Sequence, residues 1–265
     1  VRRLARGIDD GYHCQLVPGL RSSADAEDLA EELAFAATRL AVLEERPPGL
    51  YAVLADSAID VEERAWLGFL IAYIGPLEET DEPFAEIDRV RTSWSSGQDP
   101  ELDSVACGPR TAHDPARGAR TLEAYRAWAT RAGSQASAFC GEISWTAERR
   151  FERTFERLAL PGLHRDARYE LLSSLGRLGT FELRAGALQL GGENETTIAA
   201  KRAFGIGDKL LLERRAAALA QVAGLPLEAL DLGLYNWERG SRAAVGVAVQ
   251  PDDEALSATR AALGL

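Results

Sequence analysis

Leu160-Pro161-Gly162-Leu163-His164-Arg165-Asp166-Ala167-Arg168 is the stretch on which the reading of this chain turns. Phe151, Phe155 and Leu158 precede it at spacings of four and three, and Ala167, Leu171, Leu175 and Leu178 continue from it at helical spacing, so the nonapeptide is expected to join two helices. The pattern is that of a helix-hairpin-helix. Pro161 and Gly162 supply the turn, and the amides that open the second helix are left pointing outward, where a phosphate oxygen accepts from them. Such a hairpin holds one nucleic-acid strand by its backbone without reading sequence. The same residues also fit an αα-corner that binds nothing.

About thirty residues further on comes Glu193-Asn194-Glu195-Thr196-Thr197. Together the two stretches resemble the helix-hairpin-helix DNA glycosylases, in which a Leu-Pro-Gly-x-Gly-Arg-x-x-Ala hairpin is followed by an acidic residue that opens a helix and faces a flipped nucleotide. Leu160, Pro161, Gly162, Arg165 and Ala167 carry the hairpin half of the resemblance. Glu195 or Glu193 falls where the acid is expected. The chain departs from that pattern at His164, where the second hairpin glycine would stand, and at Asp166, where lyase-type members carry lysine. The fold implied is all-α, a two-lobed helical bundle of the helix-hairpin-helix DNA glycosylase type.

At 265 residues and 46% hydrophobic content the chain can bury a substantial core. Its longest apolar run, Ala65 to Ile74, is about half of a membrane span, so no membrane partner is expected. The charged N-terminus is unlike a signal segment, and the three widely spaced cysteines, Cys14, Cys107 and Cys140, suit a reducing compartment; a cytoplasmic protein is the expectation. Net charge is −10 over residues 1–140, +2 over 141–215 and −3 over 216–265. The overall field therefore repels a polyanion, and any DNA affinity is expected to be weak and backbone-mediated. Only Lys201 and Lys209 among 30 basic residues are lysine, and there is no methionine, a composition that points to a GC-rich bacterial gene.

Residues 1–22 read as irregular. His13 and Cys14 are ligand types, as are Cys107, His113 and Cys140, but no pair has a recognised metal spacing, so no metal site is expected. A first helix is expected from Ala24 to Glu45, capped by Ser23 and carrying Leu29, Leu33, Ala36, Leu40 and Leu43. Leu50 to Leu54 is a short apolar turn or helix. Asp60 caps the next helix, whose segment Ala65 to Ile74 is apolar all round and therefore buried on every side. Residues 89–117 have no period and read as a long loop, with Arg110, His113 and Asp114 as its polar chemistry. Helix Leu122 to Arg131 follows, then Gly133-Ser134-Gln135, where Gln135 is a candidate base contact or a plain loop amide. After the hairpin, Asn194 caps a helix from Thr196 to Phe204 and Asp208 caps another that Gly224 ends, while Pro226 starts the last long helix. Val245 to Val249 is expected to be extended, with a weak terminal helix after it. The lobes are expected at 1–140 and 141–240, with a C-terminal tail over 241–265. No Gly-rich phosphate or dinucleotide loop occurs, so no cofactor is expected.

From Gly11-Tyr12-His13-Cys14 to Asn236-Trp237 the chain also resembles one clade, the third, of the α-glutamyl/putrescinyl thymine pyrophosphorylase family, helical relatives of the glycosylases. The resemblance rests most on Leu160 to Arg168, Glu195-Thr196-Thr197, Ala200-Lys201-Arg202 and Asn236-Trp237. It implies an enzyme acting on hypermodified thymine in DNA, in which a small amine such as glutamate or putrescine displaces pyrophosphate from an exocyclic carbon. That chemistry calls for an extruded base, cations on the leaving group and a carboxylate for the amine proton. Glu195, then Glu193, is the expected acid or base, with Lys201 beside it. Gly162, His164, Arg165, Arg168, Arg202 and Gln135 are the expected DNA or substrate contacts. A base-excising glycosylase and a non-catalytic helical DNA-binding protein are the alternative readings.

Overall fold

A computed structural model describes residues 7–265; the part of the expected irregular N-terminal stretch that falls on residues 1–6 lies outside the described residues. The fold is all-α, with no strand among the described residues. In chain order the helices are α1 (Ser23–Glu45), α2 (Leu50–Ala55), α3 (Val61–Ile74), α4 (Ala85–Val90), α5 (Gly118–Arg131), α6 (Gln135–Cys140), α7 (Ala147–Arg157), α8 (Arg165–Arg177), α9 (Glu195–Phe204), α10 (Lys209–Ala223), α11 (Leu227–Arg239) and α12 (Asp253–Leu263). No single helix among the described residues is long and apolar enough to cross a membrane.

The chain divides into two compact units, neither continuous in sequence. The first takes the described residues up to Ala41 together with Ala187–Ala243 and Ala248–Leu265; the second takes Val42–Gly186 and the four residues Ala244–Val247. The boundary expected between residues 140 and 141 falls inside the second unit, where α6 and α7 pack together. The expected tail contributes α12, which packs on α10.

In the first unit, Leu29, Leu33 and Ala36 of α1 are buried, each leucine stabilising the fold by about 2 kcal/mol on burial. Ser22 rather than Ser23 sits at the cap position, its hydroxyl accepting from the Asp25 amide at 3.4 Å. Against α1 lies α11: a Cβ on Gly233 would come within 2.7 Å of Leu33, and the Trp237 indole donates to the Asp25 carbonyl at 3.0 Å. The small residues Ala199, Ala200 and Ala203 bury one face of α9, which packs closely on α11. Asn194 and Asp208 cap α9 and α10 through Thr197 N and Leu211 N. Gly224, in the left-handed region at φ 66°, ends α10.

The second unit is built on α3. Every residue from Ala65 to Ile74 is buried, as a helix without a polar face requires, and Asp60 caps it through the Glu62 amide. Helices α2, α4, α6 and α8 surround it. The close approach of α8 depends on Gly68, where a Cβ would stand 2.9 Å from Leu175 Cδ2. Two short helices, α4 and α6, are not among the helices expected from the sequence. The second begins because Ser134 caps it and the Glu62 carboxylate accepts from the Gln135 and Ala136 amides at 2.9 and 2.8 Å. Residues 91–117 hold no helix, yet they are fastened: Glu63 accepts from Trp94 N and Ser95 N, and Arg126 bonds Asp99 while its guanidinium lies over Trp66 and Trp94.

The expectation of an extended piece at Val245 to Val249 is corrected. Val247 N bonds Ala244 O in a turn, with Val245 at φ 47°. The Glu78 carboxylate takes the amides of Ala244 and Val245, both at 3.0 Å, and the Tyr51 hydroxyl donates to Val245 O. Amides committed to a carboxylate are not available to a sheet ladder.

Candidate functional site

The hairpin belongs to the second unit. Helix α7 presents Phe151 and Phe155 inward and ends at Arg157; α8 begins at Arg165 and buries Ala167, Leu171 and Leu175. Between them Leu163 N bonds Leu160 O at 3.1 Å, with Pro161 second and Gly162 third at φ 79°, the pattern of a type II turn. Pro161 and His164 are exposed and Gly162 is half-buried. The His164 side chain makes no cap bond to α8, whereas side chains cap α7, α9, α10 and α12. The N-cap position of α8 thus offers no side-chain acceptor, while the Asp166 carboxylate, paired with Arg165, lies within the first turn.

Thr121 of α5, absent from the sequence-based site, holds this turn from behind. Its hydroxyl donates to Pro161 O at 2.9 Å. No sequence signal marks it, because its partner is a backbone carbonyl forty residues away.

The two hairpin arginines face inward. Arg165 is buried, its Nη1 3.0 Å from Asp166 Oδ1 and its guanidinium 4.5 Å from the centre of the Tyr169 ring. From the long loop, buried Arg110 donates to the Asp166 carbonyl at 3.4 Å. Asp166, a departure from the glycosylase pattern, therefore sits in an internal ionic cluster. Arg168 donates to Phe155 O at 3.0 Å and lies over the Phe155 ring, tying α8 to the last turn of α7. Burial lowers the Arg168 pKa, and the positive charge of Arg165 lowers it further against the opposing Asp166. Gln135 is fully buried: its amide nitrogen donates to Glu62 O at 2.8 Å and its oxygen accepts from the Tyr125 hydroxyl at 2.7 Å. A base could reach it only by breaking both bonds.

The acidic residues and Lys201 belong to the first unit. Glu193 and Glu195 are exposed on either side of Asn194, whose Oδ1 accepts from Thr197 N at 2.9 Å. Glu195 is the first residue of α9, where the helix dipole stabilises a carboxylate. Lys201 is exposed nearly two turns on, with exposed Ile198 between them. Arg202 pairs with Glu238 at 3.0 Å and lies 3.4 Å from the centre of the Trp237 ring, so it braces α9 against α11. Asn236 bonds the backbone of Ala243 in both directions. Among the residues expected to act, Glu193, Glu195, Lys201 and Arg202 lie in or just before α9, Gly162, His164, Arg165 and Arg168 lie in the hairpin, and Gln135 opens α6.

Among the described residues no group of three or more His, Cys, Asp or Glu side chains is placed to hold a metal ion. Cys14, Cys107 and Cys140 are free thiols. Comparison with protein-family models, with characterised proteins and with solved structures gave no match.

Proposed function

We propose that this chain is a DNA-base-modifying enzyme that holds one strand by the α7–α8 hairpin and acts on a base turned out of the stack. The observation that carries the reading is the Pro161-Gly162 turn running into the uncapped start of α8, with His164 exposed beside it. Backbone amides at a helix start donate to any phosphate, which suits a protein of net charge −11. Glu195, with Glu193 second, is the group to take a proton from an incoming amine, and Lys201 is the exposed cation on the same helix for a departing pyrophosphate. The modified base is a hypermodified thymine, and the incoming nucleophile a small amine of the glutamate or putrescine kind.

The inward commitment of Arg165, Arg168 and Arg202 favours a second reading, a helical DNA-binding protein without catalysis, in which the glutamates serve only the α9 terminus. One pair of variants separates the two. His164→Glu puts a carboxylate at the exposed hairpin and should lower DNA affinity about tenfold at low ionic strength while leaving stability unchanged. Glu195→Gln should leave that affinity alone and abolish transfer of the amine to modified DNA. Wild-type DNA binding that His164→Glu does not weaken would remove the hairpin from the reading; transfer that survives both Glu195→Gln and Glu193→Gln would remove the carboxylates.

A further inference from the structure

An open cavity of about 760 Å³ lies in the second unit, between the end of α6, the start of α7 and the chain that leaves α8. That volume is in the range of small-molecule sites. Ile143, Phe181 and Leu183 give it apolar walls, and Ile143 is 98% exposed. An isoleucine standing in water beside two other apolar side chains is a surface that an alkyl group would cover.

The charge in this cavity is Arg150. Its side chain is only 13% exposed, Nη2 donates to Ile143 O at 3.5 Å, and Nε is buried with no hydrogen-bond partner among the described residues. Nη1 is ion-paired with Glu182, whose side chain is 82% exposed. The two partners are unequally committed. Arg150 is fixed and largely desolvated, so it needs a carboxylate; Glu182 reaches in from solvent and loses little by swinging out. A carboxylate arriving with its own apolar tail would satisfy Arg150 and also cover exposed Ile143, which Glu182 does not do.

We propose that this cavity binds a small monocarboxylate carrying an alkyl chain, with Arg150 as its anchor and Glu182 as the side chain it displaces. None of its lining residues belongs to the Leu160–Arg168 hairpin. Cys140 on the cavity wall provides the readout. Burial pushes its thiol pKa up, Arg150 opposes the rise, and Glu182 adds to it. The ligand carboxylate takes over the charge that Glu182 held against Arg150, so its effect on labelling is to obstruct the sulfur.

The test is maleimide labelling of the whole chain, followed residue by residue by peptide mass spectrometry, with hexanoate as the probe. Saturating hexanoate should slow labelling of Cys140 by about fivefold or more and leave Cys14 and Cys107 unchanged. Acetate, which lacks the tail, and hexanol, which lacks the charge, should have little effect. Arg150→Gln should lose the protection. Glu182→Gln, at an exposed position where folding is not at stake, should lower the hexanoate concentration needed several-fold. Equal protection by hexanol, no protection by hexanoate, or an unchanged requirement in the Glu182→Gln variant would each overturn the proposal.

Discussion

The hydroxyl of Thr121 lies 2.9 Å from the carbonyl oxygen of Pro161, and the same hydroxyl would lie 2.3 Å from a Cβ placed on Gly162. Helix α5 thus fastens the hairpin and also fills the space that any side chain at Gly162 would need. Thr121→Val should cost about 1 kcal/mol through the lost bond to a part-buried carbonyl, and Thr121→Ser should keep most of that. Gly162→Ala should cost about 2–3 kcal/mol, from its positive φ and from the collision together. With Thr121→Ala in the background the collision disappears, so the double variant should be more stable than the sum of the singles implies. Urea unfolding of wild type, Gly162→Ala, Thr121→Ala and the double variant measures this coupling.

Arg165 and Asp166 form a pair with both side chains mostly out of solvent. Arg165→Ala strands a carboxylate and should destabilise by about 3 kcal/mol, whereas Arg165→Met with Asp166→Leu should recover most of the loss. Because the guanidinium faces Asp166 and Tyr169, the double variant should bind DNA within about twofold of wild type. A much larger loss of affinity in a fully folded double variant would show that Arg165 leaves this pair to reach a phosphate.

Glu63 links pH to the long loop. Burial pushes its carboxyl up, but hydrogen bonds from the Ser93 hydroxyl at 2.6 Å and from the Trp94 and Ser95 amides outweigh it and hold the pKa below the ordinary glutamate value. A carboxyl that binds its proton less tightly when folded adds stability above the unfolded value of about 4.3, and that stability is lost as pH falls through the lower, folded value. Unfolding free energy measured from neutral pH downward should therefore decline in the acid range in wild type. Glu63→Gln should start lower at neutral pH and fall less steeply through the same range.

At the head of α9, capping and chemistry should separate. Asn194→Ala removes the bond to the Thr197 amide and should cost about 1 kcal/mol in thermal or urea unfolding. Glu195→Gln leaves that bond in place and should change stability by only about a few tenths of a kcal/mol. A loss of stability in the Glu195→Gln variant as large as that in Asn194→Ala would identify Glu195 as a structural residue.

Long periodic elements could be read from the sequence because their partners were implicit in their own spacing. The apolar belt of α3, the stripes of α1 and α8, and the caps at Asp60, Asn194 and Asp208 all depend on residues within a turn or two of one another. Features made by distant partners could not. Helix α6 owes its start partly to Glu62, far back in α3; the turn at Ala244 to Val247 owes its shape to Glu78; and Arg165, written like a phosphate ligand, is drawn inward by its own neighbour. The hairpin turn was legible as Pro-Gly chemistry, but the direction of each arginine was not, because a guanidinium on a flexible stem goes wherever a carboxylate or carbonyl waits.

The discontinuity of the first unit bears on biosynthesis. As the nascent chain leaves the ribosome, the leucine stripe of α1 emerges well before α9, α11 and α12, since all of Val42–Gly186 must be translated in between. Through that interval Leu33 lacks the Gly233 surface that covers it, while the intervening segment can already complete most of its own core. A chaperone that recognises exposed leucine-rich helices should therefore engage early translation intermediates at α1 and let go once the Gly233 surface has been made.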